Sequence, residues 1–150
     1  MKWFGRLALL GLVAALSAGG LVSVQLLRSM PKLDGQVKLQ GLKAPVQISR
    51  DSSDVTRIEG ASALDTWRGL GFVHAQERGW QLEFNRRLMR GELSEILGAA
   101  TLDTDKLMRT LGIIGMAQKQ LQGLSPATQA ALQAYSEGIQ NAWLSGAVRP

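Results

Sequence analysis

Residues 69–98 read GLGFVHAQERGWQLEFNRRLMRGELSEILG. Wound as a helix at about 100° per residue, positions 72–90 place Phe72, Ala75, Gly79, Leu82 and Met89 on one side. Val73, Trp80, Phe84 and Leu88 fall on nearly the opposite side. Two apolar faces predict a helix covered from both directions. Glu77 projects between Trp80 and Leu88, while Arg86 and Arg90 project among the residues of the other side. Charges so placed must be paired, because an isolated buried charge costs several kcal/mol. Gly79 lets another backbone approach closely, which suits a crowded interior. A helix this enclosed belongs to a large protein.

Around this stretch the punctuation is clear. Ser62 is a good N-cap, and Asp65 three residues later makes an approximate capping box with a negative charge in the first turn. The spacing predicts a helix from about Ala63 to about Met89, bent around Gly69 and Gly71. Gly91 ends it, and residues 92–97 make a short helical turn stopped by Gly98. Residues 104–122 carry Leu107, Leu111, Ile114 and Gln118 at helical spacing, with Gly112 and Gly115 weakening the pattern. Ser125-Pro126 is a restart, with Ser as N-cap and Pro at the first helical position. Leu132, Tyr135, Ile139 and Trp143 then recur at three- or four-residue steps in a helix that Gly146 can cap.

Upstream, Val46 and Ile48, then Val55 and Ile58, bracket the turn-rich group Arg50-Asp51-Ser52-Ser53-Asp54. This predicts a strand pair over 45–50 and 55–60, which needs helices or more strands above it to be stable. Residues 30–44 are polar and extended, with Pro31 and Pro45 opposing helix, and read as a tether. Residues 7–27 contain no charge and are flanked by Lys2, Arg6 and Arg28. Such a run just reaches the length of a bilayer span. Segment 1–29 is therefore read as a signal anchor whose helix over 7–27 holds the chain in the inner membrane, facing the periplasm. A cleaved signal that releases it there is the alternative, given the small residues from Ala14 to Gly20.

The composition excludes several classes. The formal charge is +5, but Lys2, Arg6 and Arg28 flank the uncharged run, leaving 14 basic against 12 acidic residues elsewhere. No basic stripe with interleaved aromatics is present, so no nucleic-acid partner is expected. The absence of cysteine excludes disulfides, thiolate metal sites, a cysteine nucleophile and cysteine lipidation. The single histidine cannot build a multi-histidine site.

Beyond these patterns, particular residues carry a resemblance. They are GLKAPVQISRD at 41–51, Asp65-Thr66-Trp67 leading into GLGFVHAQER at 69–78, Gln81-Leu82-Glu83 with Arg86-Arg87, and GELSEILG at 91–98. Arg109-Thr110-Leu111-Gly112 and Leu124-Ser125-Pro126 follow, continuing through Ala134-Tyr135 and Gly138 to Asn141-Ala142-Trp143. In this collinear order, over roughly 31–146, the chain resembles the penicillin acylase (penicillin amidase) family of N-terminal nucleophile hydrolases. That family also includes acyl-homoserine-lactone and cephalosporin acylases. Glu77 stands where the family usually has Asp, and Asp54-Val55-Thr56-Arg57-Ile58 replaces the commoner Gly-Val-Pro-x-Ile.

The resemblance implies an α+β class: an N-terminal anchor helix, a short strand pair, then a mainly helical segment of an αββα fold that is incomplete in this chain. It makes 45–150 the front part of the alpha chain of an exported amidohydrolase, cut autocatalytically from a precursor into alpha and beta chains. The substrates implied are penicillin-like or N-acyl amides, acyl-homoserine lactones among them. The nucleophile would be the serine opening the beta chain, with its own α-amine as base. That position has no counterpart here, so no catalytic, cofactor-binding or metal-binding residue is assigned in this chain. The expected partners are the beta chain of the same precursor, a small amide substrate, and the membrane through 7–27. No cofactor is expected in this segment, and calcium, found in some relatives, is allowed for the complete enzyme. The competing reading is a non-catalytic, membrane-anchored helical adapter in the periplasm.

Several residues invite sharper assignments. His74 with Ser62 or Ser94 and Asp65 or Glu77 has the composition of a triad, yet no nucleophile-elbow pattern accompanies it, and a hydrogen-bonded core histidine is the simpler reading. Glu77, Arg78, Glu83, Arg86 and Arg87 read as ion pairs, with Glu83 and Arg87 correctly spaced on a helix. Asp103 and Asp105 read as favourable charge at a helix N-terminus rather than a metal loop. Trp80 and Phe84 read as packing residues rather than an acyl pocket. Gly69 and Gly71 lack the remainder of a phosphate loop.

Overall fold

The computed structural model describes residues 2–30 and 33–144, so the helix-opposing role of Pro31 and the cap at Gly146 lie outside the described residues. The chain forms two compact units, Met1–Gly35 and Gln36–Pro150. The first holds the helix α1 (Lys2–Ser29), rich in the good helix formers Leu and Ala. The expectation of an inner-membrane anchor over 7–27, facing the periplasm, is corrected here. Among the described residues, no helix is long and apolar enough to cross a membrane. The membrane partner and the anchored adapter reading lose their support with it.

The second unit opens with the strand pair β1 (Val46–Arg50) and β2 (Thr56–Gly60), antiparallel with Ile48 opposite Ile58 and Val46 opposite Gly60. The turn between them is built by Asp51, whose Oδ1 accepts from the backbone N–H groups of Ser53 (2.9 Å) and Val55 (2.9 Å). Asp54 takes the left-handed conformation at φ 60°, which a short polar side chain tolerates.

α2 (Ala63–Arg90) is the spine of the unit. Ser62 caps it as its sequence predicts, its Oγ accepting from the Asp65 N–H at 3.1 Å. The helix runs through Gly69 and Gly71 without a break; the bend instead falls at Arg78, with φ −131° and ψ 26°, next to Gly79. Gly69 and Gly71 serve opposite faces. A Cβ on Gly69 would press on Ile58 and Val46 of the strand pair, whereas one on Gly71 would overlap the Tyr135 carbonyl. Gly138 answers from the other helix, where a Cβ would overlap the Arg68 carbonyl. Two glycines facing each other thus let α2 and α6 (Pro126–Leu144) cross with backbones in contact.

The core sits at this crossing: Phe72, Ala75 and Ala142 are buried, with Leu39, Ile48 and Ile139 packed against them. Enclosure from both sides holds for the first half of α2 only. Beyond the bend, Trp80 and Met89 are exposed and Leu82, Phe84 and Leu88 half-buried.

Gly91, left-handed at φ 65°, ends α2, and α3 (Ser94–Leu97) follows. A turn of 3-10 helix (Ala99–Thr101) leads into α4 (Leu102–Leu111). The helix expected over 104–122 is two helices, because Gly112 adopts φ 65° and separates α4 from α5 (Ile113–Gly123). Ser125 starts α6 as predicted, with its Oγ accepting from the Thr128 N–H at 3.2 Å. A strand pair followed by a mainly helical segment is the α+β arrangement read from the sequence.

Candidate functional site

Three polar clusters organise the unit. The first pins the lead-in to the helix crossing. Asp65 is fully buried, and its Oδ1 accepts from the Lys43 N–H at 3.0 Å while its Oδ2 accepts from the Ser62 hydroxyl at 2.8 Å. The Lys43 hydrogen bond, the Ser62 hydroxyl and the nearby Arg68 hold its carboxyl below the usual range. Asn141, also buried, clasps Gln40 twice: Oδ1 accepts from its N–H (3.0 Å) and Nδ2 donates to its carbonyl (3.1 Å). Arg68 donates from Nε to Glu137 Oε2 at 2.8 Å and lies 3.5 Å from Asp65. Hydrogen bonds from Gln133 and Arg68 lower the Glu137 carboxyl. A cleft of about 320 Å³ opens beside Gln40, Gly41, Arg68, Glu137 and Asn141. Within it Arg68 is engaged with Glu137, and Asn141 with the backbone of Gln40.

The second cluster fixes the end of α2. Glu83 accepts from Arg86 through two bonds (2.7 and 2.8 Å) and from Arg87 Nε at 2.6 Å. Arg87 reaches on to Glu95 (2.7 Å), and Arg90 to Glu92 (2.8 Å). The paired guanidiniums, Arg86 foremost, hold the Glu83 carboxyl at about 2, down from 4.5. Nearer the bend, Arg50 bridges Asp54 of the hairpin turn and Glu77.

The third cluster latches α4 to the α2–α3 junction. Asp105 is buried, and its two oxygens accept from the backbone N–H groups of Leu93 (2.9 Å) and Ser94 (2.8 Å). Burial pushes its carboxyl up, yet the hydrogen bonds from Ser94 and Leu93 prevail and leave it below the usual range. Arg109 Nε donates to the Gly91 carbonyl at 2.9 Å.

Set against these clusters, the sequence candidates disperse. His74 Nδ1 and the Tyr135 hydroxyl share a hydrogen bond of 3.0 Å, with the rings edge to face. Burial raises the phenol of Tyr135, keeping it neutral. Ser62 is bonded to Asp65, Ser94 lies against Asp105, and Glu77 pairs with Arg50, so no triad assembles around His74. Asp103 is exposed and pairs with Lys106 at 3.3 Å, pointing away from the task of Asp105. Among the described residues, no three His, Asp or Glu side chains converge to hold a metal ion. Trp80 and Phe84 lie 6.4 Å apart by ring centroid, with Trp80 53% exposed.

Sequence reasoning missed Asp65, Asp105 and Asn141 as buried pins, and missed the stripe Ala134, Gly138, Ala142. That stripe carries a signal, small residues four apart, but the larger side chains beside it draw attention first. Together the clusters define a framework: they fix the positions of helices and hold no free nucleophile–base pair.

Residues 45–149 match the family described as penicillin amidase. The chain is 36% identical over 122 residues to Penicillin acylase 2 proenzyme of Pseudomonas sp. (strain SE83), covering 81% of this chain and 16% of that protein. It is 34% identical over 116 residues to Acyl-homoserine lactone acylase QuiP of Pseudomonas putida, covering 77% of this chain and 14% of that one. Its structure superposes on a thermostable penicillin G acylase from Alcaligenes faecalis with a TM-score of 0.59 and 28% identity, over 67% of this chain and 53% of that chain. The chain belongs to the penicillin amidase family. It spans about a sixth of the length of these curated relatives.

Proposed function

We propose that this chain is the front part of the alpha chain of an amidohydrolase that cleaves the side-chain amide of penicillin-like or N-acyl substrates, acyl-homoserine lactones included. The observation that carries the reading is a family match over 45–149 in a chain spanning 16% of Penicillin acylase 2 proenzyme. The reaction belongs to a longer polypeptide, matured by autoproteolysis into alpha and beta chains, with the nucleophilic serine outside these residues. The beta chain of the same precursor and a small amide substrate are the partners. No residue of this chain is assigned to catalysis, a cofactor or a metal, and calcium remains a proposal for the complete enzyme alone. The polar clusters described above give the segment its role, which is to hold a helical layer in fixed geometry for groups supplied elsewhere.

The test begins with the coding frame beyond Pro150. If the frame continues to a junction serine, the full-length protein should release phenylacetate from penicillin G or fatty acid from an N-acyl-homoserine lactone. Its junction Ser→Ala variant should remain a single inactive chain. Amide turnover by the purified 150-residue chain, or a stop codon with no beta chain encoded nearby, would remove the enzyme reading for this polypeptide.

A further inference from the structure

The bend in α2 divides the second unit into two bodies. At Arg78 the backbone leaves helical geometry, and Gly79 follows with no Cβ to resist rotation. Burial changes at the same place. Phe72, Val73 and Ala75 are buried just ahead of it, and no residue from Gln76 to Arg90 is. The next buried residues, Gly91, Leu93 and Asp105, belong to the junction of α2, α3 and α4.

Each body is tied together by its own contacts. Ahead of the bend, the Gly71–Gly138 crossing and the Arg68–Glu137 ion pair join α2 to α6. Behind it, Glu83, Arg87 and Glu95 link the helix to α3, while Asp105 and Arg109 latch α4 to the same junction. The polar clusters thus fix helices within each body, and the angle between the bodies rests on the bend. The return path adds no clamp. Every residue from Gly115 to Ala130 is exposed, and Leu124, between α5 and α6, is extended at φ −74° and ψ 152°. Arg50 sits beside the bend from the hairpin side. It bridges Asp54 and Glu77, the residue immediately ahead of Arg78.

We infer that Arg78–Gly79 is a hinge on which residues 79–111 swing as one body against the strand pair, the first half of α2 and α6. Arg50 is the strap that confines the swing to that point, because it holds Glu77 to the hairpin turn. A few residues that absorb a change of φ and ψ between two firm bodies are what hinge motion requires. The inference concerns this chain by itself and stands whether or not the proposed reaction is correct.

The chain has no cysteine, so pairs of introduced thiols can carry spin labels for distance measurement by electron double resonance. Glu59→Cys with Asp103→Cys spans the bend. Glu59→Cys with Ser136→Cys stays within one body, and Asn85→Cys with Asp103→Cys stays within the other. The expected distance distribution across the bend is wider than either internal one by roughly twofold or more. Arg50→Ala widens it further and leaves both internal pairs unchanged. Hydrogen exchange of the unlabelled chain supplies a measurement independent of any variant. The amides of 82–90 and 105–111 should share one protection factor, about tenfold or more below that of 68–75. A distribution across the bend as narrow as the internal ones overturns the hinge. An 85–103 distribution as broad as that across the bend, or unrelated protection in 82–90 and 105–111, overturns the single swinging body. An Arg50→Ala variant with unchanged width across the bend removes the strap.

Discussion

The two halves of α2 carry the same apolar spacing and are held by different forces. Before the bend at Arg78, Gly69 and Gly71 bring the strand pair and α6 against the helix, and Phe72, Val73 and Ala75 are buried. After it, large side chains stand at the equivalent spacing, Trp80 is exposed, and the contacts that fix the helix are ion pairs from Glu83, Arg87 and Arg90. Periodicity reports which residues share a face. What covers that face is decided by size, since only small side chains admit a second backbone. Close packing is unforgiving of added or removed atoms, whereas a charge network is sensitive to proton concentration.

The largest expected effect belongs to the packed half. Phe72→Ala should destabilise the chain by about 4 kcal/mol in urea unfolding, because a buried aromatic leaves a cavity that the glycine crossing cannot close. A loss below about 1 kcal/mol would mean the two halves are equally loose. Gly138→Ala should cost about 2 kcal/mol, as the added methyl overlaps a backbone carbonyl that cannot rotate away. Helix propensity alone would make the same change stabilising by about 1 kcal/mol, so the sign of the measured shift decides whether the crossing is as tight as described.

The charged half should show itself in acid. The folded-state carboxyl of Glu83 lies at about 2, against an ordinary 4.5. Its contribution is present above about pH 4.5 and is lost as pH falls toward 2. Glu83→Gln should therefore lower the melting temperature at pH 7 and converge with the parent near pH 2; parallel curves across that window would remove the network from the account. The smallest effect is expected at Trp80. Trp80→Ala should change the stability of the chain by no more than about 0.5 kcal/mol, since an exposed side chain away from caps and pins contributes little. A change as large as that of Phe72→Ala would show that the second half is packed after all.

Local features were legible in the sequence, and long-range ones were not. The Ser62 and Ser125 caps, the stops at Gly91 and Gly98 and the hairpin turn depend on residues a few positions apart, so spacing alone reveals them. The division of 104–122 was signalled by Gly112, yet spacing could not say that this glycine would turn left-handed. Asn141 and Gln40 are 101 positions apart, and no periodicity links them. Asp65 was read as a cap residue because its local role is visible, whereas its bond to Lys43 required the lead-in to fold back. The anchor expected over 7–27 is not supported, since among the described residues no helix is long and apolar enough to cross a membrane. Of the candidate residues, the spacing of Glu83 and Arg87 correctly predicted their ion pair. The inward turn of Asp105 has no sequence signal apart from the exposed leucines it leaves behind.

The clasp of Asn141 on Gln40 and of Asp65 on Lys43 has a mechanical consequence. Both lie ahead of β1 along the chain. Tension applied from the N-terminal side enters the unit at Gln40 and Lys43, before it can reach the first ladder bond of the strand pair. The load passes directly into α6 and α2, the two helices in closest contact, and the hairpin stays slack while they bear it.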